Sequence, residues 1–493
     1  MTASDHETEV IVAGGGPVGL TVALGLARRG VRSIVLEKKA TLDARSRATL
    51  IVPRALEILD ALGVLPVFLG EGQPNPSLRI LRATDHRMIL DFDFGLYAGE
   101  TAVPFALALS QDRTERLLLD AVRATGLVDV RMDTPLLQFA DGPDGVTVEA
   151  GSGQTPLRVS GRYLVATDGA HSRVREQLGW RLEGRTYATR AFLADVRVSA
   201  DCDVPRGWLA DPTASSFTLA IRFADGVWRI IESAIPDDVE EPAFAARARV
   251  LAGRMFGEGA WRETLWTAAY RKHERRADRY RVGHVVLAGD AAHLNSPAGG
   301  QGLNAGMQDA FSLAWRLARL VRGRGEENAL LDSYSAERTQ SFDRDVVGLT
   351  SGIESLETLP AWLRAALFSV VGLVRHTGVP RAVVRRLSML SPRVGPSALL
   401  GDRVPCGRRM PNVLLEGDSR IYSRLGLDGL LLASEPAEPA PGFDYAVAPM
   451  PRGLPRPFSG HASLFIRPDH VVAVASASAI APLAIARALG GEA

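Results

Sequence analysis

The chain has 493 residues, 46% hydrophobic and 23% charged, with 57 Lys and Arg against 56 Asp and Glu. That length exceeds one ordinary core, so two or three domains are expected. The formal net charge of +1 gives no support for a nucleic-acid or membrane-surface partner. Cys202 and Cys406 lack metal or redox spacing, which leaves no disulfide framework and fits a reducing cytoplasm.

In chain order, residues 1–9 are polar and acidic and do not read as a secretory signal. Residues 10–13 read as a short buried strand, 17–29 as a helix and 33–36 as a second strand, a β-α-β unit of nucleotide-binding length. Gly14-Gly-Gly-Pro-Val-Gly19 joins the first strand to the helix and contains G-x-G-x-x-G. Gly14 allows the tight turn, Gly16 lets the backbone reach a pyrophosphate, and Gly19 lets helix and strand pack closely. Glu37 ends the second strand, where an acid binds ribose hydroxyls. The glycines alone also fit a structural turn; with both strands and the acid in register they point to a dinucleotide, NAD or FAD.

Helices are predicted over 55–62, ending at Gly63, and over 114–125, ending at Gly126, with an irregular stretch between them at 74–104. Strands at 145–150 and 163–166 lead into Asp168-Gly169, which by itself is as well read as a turn. Residues 181–275 alternate polar and apolar, as in Ser216-Phe-Thr-Leu-Ala-Ile-Arg222, and predict a separate antiparallel sheet. A buried strand at 285–288 then meets Asp290 and the glycine-rich Gly299-Gly-Gln-Gly-Leu-Asn304, which opens a helix over 304–320; a second long helix follows at 330–347. An acid ahead of such a loop suits a hydroxyl-bearing chain, with an electron-rich ring lying over helix N–H groups. Prolines 392, 396, 405 and 411 mark a linker before a small α/β module. The apolar run 471–485, broken by Ser476, Ser478 and Pro482, reads as a buried strand entering a short helix, not a membrane span.

The glycine motif, the Asp-Gly stretch and the late Asp290 loop, in this order and separation, resemble the FAD-dependent aromatic hydroxylases of the para-hydroxybenzoate hydroxylase type. The resemblance covers nearly the whole chain. It implies an α/β fold: a Rossmann-like FAD-binding domain of glutathione-reductase type in three parts (1–75, 106–180 and 279–390, the last with the long helices). An inserted, mainly antiparallel substrate domain would occupy 76–105 and 181–278. A C-terminal thioredoxin-like domain without redox cysteines would occupy 391–493, on the strength of Gly401-Asp-Arg403 and Phe465-Ile-Arg-Pro-Asp469.

By the same resemblance Gly14, Gly16, Pro17, Gly19, Glu37 and Lys38 hold the ADP half of FAD, and Arg47 lies near its pyrophosphate. Gln111 contacts the flavin side chain, and Asp168 serves FAD and the nicotinamide cofactor. Asp290 takes the ribityl chain, and Pro297, Gly300, Gly302, Leu303 and Asn304 lie along the flavin ring. Arg54 and Arg113 match family positions, with a surface or helix-capping salt bridge expected at each. Arg222, Trp228, Tyr270 and His273 offer themselves for the substrate pocket, although a core aromatic or surface arginine is the favoured reading. No catalytic side chain and no metal ligand is assigned. Three departures stand out: Ala166 replaces a family glycine, Asn295-Ser296 a small or proline-rich pair, and Ser312 an asparagine.

The implied activity is an NADPH- or NADH-consuming monooxygenation of a phenolic or polyketide-derived aromatic, through a flavin C4a-hydroperoxide. Dioxygen and a transiently docked NAD(P)H are its other partners, no membrane or nucleic acid is expected, and the protein would be a cytoplasmic monomer or homodimer. The alternatives are Baeyer–Villiger oxygen insertion, a flavin-binding protein without turnover, and a nicotinamide-dependent dehydrogenase using the first glycine motif alone.

Overall fold

The computed structural model describes residues 5–42, 49–81, 87–152, 156–199, 208–211, 216–296, 300–357, 359–360, 362–363, 366, 379–391, 393–415 and 419–491. Its first sheet runs, edge to edge, Arg281–Val282, Val285–Leu287, Leu157–Ala166, Asp5–Ala13, Ser33–Leu36 and Val128–Arg131. Along this path all neighbours are parallel except the first pair, and two further strands of the sheet, Gly145–Ala150 and Leu136–Gly142, add to Leu157–Ala166 in antiparallel pairing. Central strands of a parallel sheet are covered on both faces and become continuous apolar runs. Val10, Ile11 and Val12 are accordingly fully buried, as are Leu164 and Val165 beside them. The first strand begins at Asp5, five residues before its apolar run, because Asp5 to Thr8 keep pairing with residues 158–161 at the open end. The helix Pro17–Ala27 and the 20-residue helix Gly302–Val321 pack together, where Gly25 leaves room for Ala314. Other early helices are Pro53–Ala61, Leu65–Glu71 and Gln111–Ala124.

A second sheet of eight strands runs His293–Leu294, Trp261–Arg276, Glu183–Val198, Trp228–Ile235, Thr218–Arg222, Trp208–Asp211, Ser77–Leu81 and Met88–Asp93. Its outer face is closed by the helix Phe244–Phe256, which buries Phe244, Leu251 and Phe256 against Phe192, Ile230 and Trp228. That helix interrupts the alternating region and is absent from the sequence reading, which followed the period-2 signal through it. Its inner face turns toward the first sheet. The second predicted long helix ends early, at Glu327–Ser341, and passes through a π-helical turn, Phe342–Val347, into Gly348–Glu357.

The C-terminal sheet has order Ala446–Pro449, Leu430–Ala433, Ser463–Ile466 and Val472–Ser476, followed by the helix Pro482–Ala488. The predicted linker before it is packed. Leu390, Val394, Leu399 and Met410 are buried, and backbone bonds tie Val394 to Gly407 and Gly407 to Val472. Proline content marked irregular backbone there, but apolar burial, not flexibility, sets its path.

Charges weld this sheet to the rest. Arg467 donates to both oxygens of Glu337 at 2.8 and 2.7 Å and to Asp469 at 3.1 and 2.9 Å. Arg316 adds a bond to Glu337 at 2.9 Å, and all four side chains are 4% exposed or less. Arg54, expected in a surface or capping pair, is buried instead and bonds Glu57, the Asp469 carbonyl and His470 Nδ1. Burial, with Arg54 and Arg409 beside it, pushes the His470 imidazole well below its usual range, so it accepts from Arg54 as the neutral ring. Arg113 is the surface pair expected, 3.0 Å from Glu71.

Removing one member of a buried ion cluster strands the others, at a cost of about 3–5 kcal/mol, whereas an exposed pair contributes about 1 kcal/mol or less. Urea unfolding should therefore show Arg467→Met losing several kcal/mol and Arg113→Ala almost nothing. Equal effects would deny the cluster its role in joining the C-terminal sheet to the core.

Candidate active site

One cavity of 1670 Å³ joins the ends of the parallel strands to the inner face of the second sheet. A single small-ligand pocket holds about 300–1,000 Å³, so this one has room for a cofactor and a second molecule. At the sheet ends Gly14, Gly16, Pro17, Glu37 and Lys38 line it. Gln111, at the start of the helix Gln111–Ala124, and Asp168, from the loop after Leu157–Ala166, join them, and Asp290, Gly300, Gly302 and Leu303 also line the cavity. Segments separated by more than 280 residues in sequence thus meet around one space.

The local geometry explains the glycines. Gly14 has φ +107°, and a Cβ there would lie 2.4 Å from the Thr167 carbonyl. A Cβ on Gly19 would lie 2.0 Å from the Gly14 carbonyl, so Gly19 is needed for helix–strand packing and does not line the cavity. Gly16 differs: its φ is −72°, and a Cβ would meet nothing within 4 Å. That empty space faces the cavity at the first turn of a helix, where a bound phosphate would sit.

Glu37 Oε2 accepts the Gly15 N–H at 2.7 Å and Oε1 the Lys39 N–H at 2.9 Å. The acid therefore shapes the glycine loop as well as facing the cavity. Asp168 Oδ2 accepts the N–H groups of Arg173 and Val174 at 2.7 and 3.2 Å, while its Oδ1 is buried with no partner among the described residues. Burial pushes this carboxyl upward, partly countered by Ser172 and those amides. An orphaned acceptor at the cavity wall, an open glycine cradle and a helix N-terminus together fit a dinucleotide such as FAD.

Asp290 sits in a tight turn, Gly289–Ala291, held from behind. Asp309 Oδ2 accepts the Gly289 N–H at 3.0 Å and bonds His293 Nε2 at 2.6 Å, while Oδ1 accepts from Arg338 at 2.6 Å. Asn304 is fully buried and away from the cavity. Its amide is consumed by backbone: Oδ1 takes the Val52 N–H at 2.9 Å, and Nδ2 donates to Leu50 and Gly300 carbonyls at 3.0 and 2.8 Å. It holds the loop and does not reach a ring. Arg47, Pro297 and Gly299 lie outside the described residues.

The inner sheet face gives the other end of the cavity, with Leu219, Ile221, Ile231 and Trp266, roofed by Leu349 and Leu387. Of the four residues offered for a pocket, Tyr270 and His273 line the cavity, against the favoured reading. Trp228 is core, its ring tilted against that of Phe256 with centroids 4.8 Å apart, and Arg222 lies outside the lining. Sequence reasoning missed Lys272 and Glu354, a buried pair in the same wall. Lys272 is masked in sequence by the arginines around it, and Glu354 sits on a helix with no motif.

Burial alone would raise the Asp309 carboxyl, but His293 and Arg338 outweigh it and hold the group at about 2, against 3.8 when free. A depressed folded value means stability that is present above the unfolded value and lost as pH falls through the folded one. The contribution, on the order of 2 kcal/mol, should disappear between about pH 4 and pH 2. Chemical unfolding across that window should show a shallower loss in Asp309→Asn than in the parent; parallel curves would contradict the pairing.

A family model described as an FAD binding domain matches residues 7–347. The chain is 37% identical over 338 residues to a 6-methylpretetramide 4-monooxygenase of Streptomyces rimosus, covering 67% of this chain and 59% of that protein. It is 33% identical over 436 residues to a rifampicin monooxygenase of Streptomyces venezuelae, covering 85% of both. Its fold matches that of an aklavinone-11 hydroxylase solved with FAD and aklavinone, with a TM-score of 0.79, 26% identity and 99% of each chain covered. A dinucleotide cradle, an acid-bearing loop ahead of a helix and these likenesses agree: the chain belongs to the FAD-binding domain family, among its flavin-dependent aromatic monooxygenases.

Proposed function

We propose that this protein hydroxylates a phenolic, fused-ring aromatic, consuming NADPH or NADH. The observation that carries the reading is the continuity of the cavity, which runs from the dinucleotide loops to a wide apolar face without a wall between them. A large apolar compartment suits several fused rings better than one small phenol. The relatives' names support the same class.

When bound, FAD supplies the redox chemistry of oxygen activation. The chain's own part is placement. Gly14, Gly16, Pro17 and Glu37 would receive the ADP half at the first helix. Asp168 would offer its unpartnered oxygen to a hydroxyl or amide. Lys38 and Gln111 line the same cavity, and Asp290 would orient the hydroxyl-rich chain. The N–H groups at Gly302 and Leu303, backed by a 20-residue helix, would stabilise negative charge on the reduced ring. Leu219, Ile231, Leu349 and Leu387 would keep water from the reacting atoms.

We assign the sheet of Glu183–Val198 and its neighbours, with strands 77–81 and 88–93, to an inserted substrate domain within a three-part FAD-binding domain. The C-terminal sheet is read as thioredoxin-like, which its one parallel and two antiparallel pairings support. Its Cys406 is half-buried and free, so the module is structural. Among the described residues no helix is long and apolar enough to cross a membrane.

Oxygen-18 labelling tests the reaction. A fused-ring phenol should accelerate NAD(P)H oxidation and leave with one atom from labelled dioxygen; unchanged NAD(P)H consumption across a panel of such phenols would overturn the substrate class. Site variants test the cradle. Gly16→Val should fold normally yet bind FAD at least about a hundredfold more weakly, roughly 3 kcal/mol, whereas Gly19→Ala should damage the fold itself. Asp290→Ala, losing a charged hydrogen bond of about 1.5–3 kcal/mol, should weaken FAD about tenfold or more. A fully loaded Asp290→Ala protein would remove that residue from the site.

A further inference from the structure

The substrate end of the cavity holds a buried ion pair that flavin binding does not explain. Lys272 Nζ lies 2.5 Å from Glu354 Oε2, with the side chains 1% and 7% exposed, and both residues line the cavity. Ser296, fully buried, donates to the other oxygen, Oε1. The three come from different elements: the strand Trp261–Arg276, the roof helix Gly348–Glu357, and the segment entering the flavin loop. A buried ion pair is rarely better for stability than an apolar pair of the same size. Placed in the wall of an apolar compartment, such a pair acts on what enters it.

We propose that Glu354 and Lys272 ionise the substrate, Glu354 taking the proton of a phenolic hydroxyl and Lys272 holding the oxyanion left behind. This rests on the monooxygenase reading above. The phenolic O–H bond breaks, an O–H bond forms on the Glu354 carboxyl, and the electron pair stays on the substrate oxygen. One cation and one anion face each other before and after, so no unpaired charge is created in the apolar space. A phenol ionised alone there would be opposed by desolvation. The oxyanion raises electron density on the ring that receives oxygen. Ser296, one of the positions where this chain departs from its family's pattern, keeps Glu354 turned toward the flavin loop.

Other charged and titratable groups surround Lys272: next to it on the strand, Arg271 is paired with Asp237 and His273 bonds Thr186, and both line the cavity. Glu274, two residues along the strand, is held by Arg185, Tyr187 and Ser351, each at 2.9 Å. The Tyr187 ring centroid lies 5.4 Å from Lys272 Nζ, and burial together with Glu274 pushes its phenol up to about 12, so it stays protonated. Tyr270, on the same strand, and Arg386, on the helix Val379–Leu387, line the cavity as well.

The test uses FAD-loaded enzyme without NAD(P)H and the dye alizarin, a fused-ring phenol whose anion absorbs at longer wavelength than its neutral form. Bound to the parent, the dye should ionise at lower pH than in free solution. Lys272→Met should raise that midpoint by about one pH unit or more and weaken anion binding at least tenfold. Lys272→Arg should restore it. Glu354→Gln, which frees the ammonium from its carboxylate, should move the midpoint the opposite way. The charge-balanced double variant Lys272→Met with Glu354→Gln guards against misfolding: it should keep its FAD and Tm while the midpoint returns toward that of the free dye. One midpoint shared by parent and all variants, with the dye bound, would overturn the assignment and leave the hydroxylase reading intact. A parent enzyme that neither binds alizarin nor oxidises NAD(P)H faster with it would overturn both.

Discussion

Everything in this molecule hangs on one helix, Gly302–Val321, and on the cost of burying its polar side chains. Seventeen of its residues are buried, among them Asn304, Asp309, Arg316 and Arg319. A buried polar group without a partner is expensive, and a buried charge more so. Each therefore dictates what must lie beside it. Asn304 holds the segment at Leu50 and Val52, Asp309 the turn carrying Asp290, Arg316 the C-terminal cluster, and Arg319 pairs with Asp428. The helix whose N-terminal residues Gly302 and Leu303 line the cavity is the same helix that fixes the rest of the site around it.

This arrangement explains why a C-terminal sheet remote from the chemistry is built into the core. Glu337, Arg467 and Asp469 meet Arg316 in a fully buried, charge-balanced group, and Arg54 and Arg409 extend it across Glu57. The polar row would otherwise face solvent or a void. The module's contribution is to complete those partners, and its lone half-buried Cys406 needs no redox role.

The cavity follows from the same logic with opposite sign. Where the second sheet faces the first, many of its side chains are apolar and leave space, and two of the charges that line it, Lys272 and Glu354, are paired across two elements. Polar groups elsewhere in the core are consumed by structure; these line the space a substrate would fill.

The local elements were legible because their signals are local. Strand Ser33–Leu36, the turn at Gly14 and the helix after Gly302 follow from apolar runs, left-handed glycines and glycine-rich entries that act within a few residues. The dinucleotide cradle is likewise a short-range device, so its residues could be named from spacing and family resemblance. What depends on distant partners was not legible. Asn304 lies in a flavin motif yet spends its amide on residues some 250 positions away, and Arg54 resembles a surface arginine until His470 and Asp469 close over it. Tyr270, Lys272 and Glu354 acquire their place only when sheet and roof helix meet, because a side chain's partners and dielectric surroundings are properties of the packed chain. Sequence by itself determined the cofactor and the order of the elements; tertiary structure decided which charges are buried and which residues line the cavity, because both depend on what distant segments bring alongside.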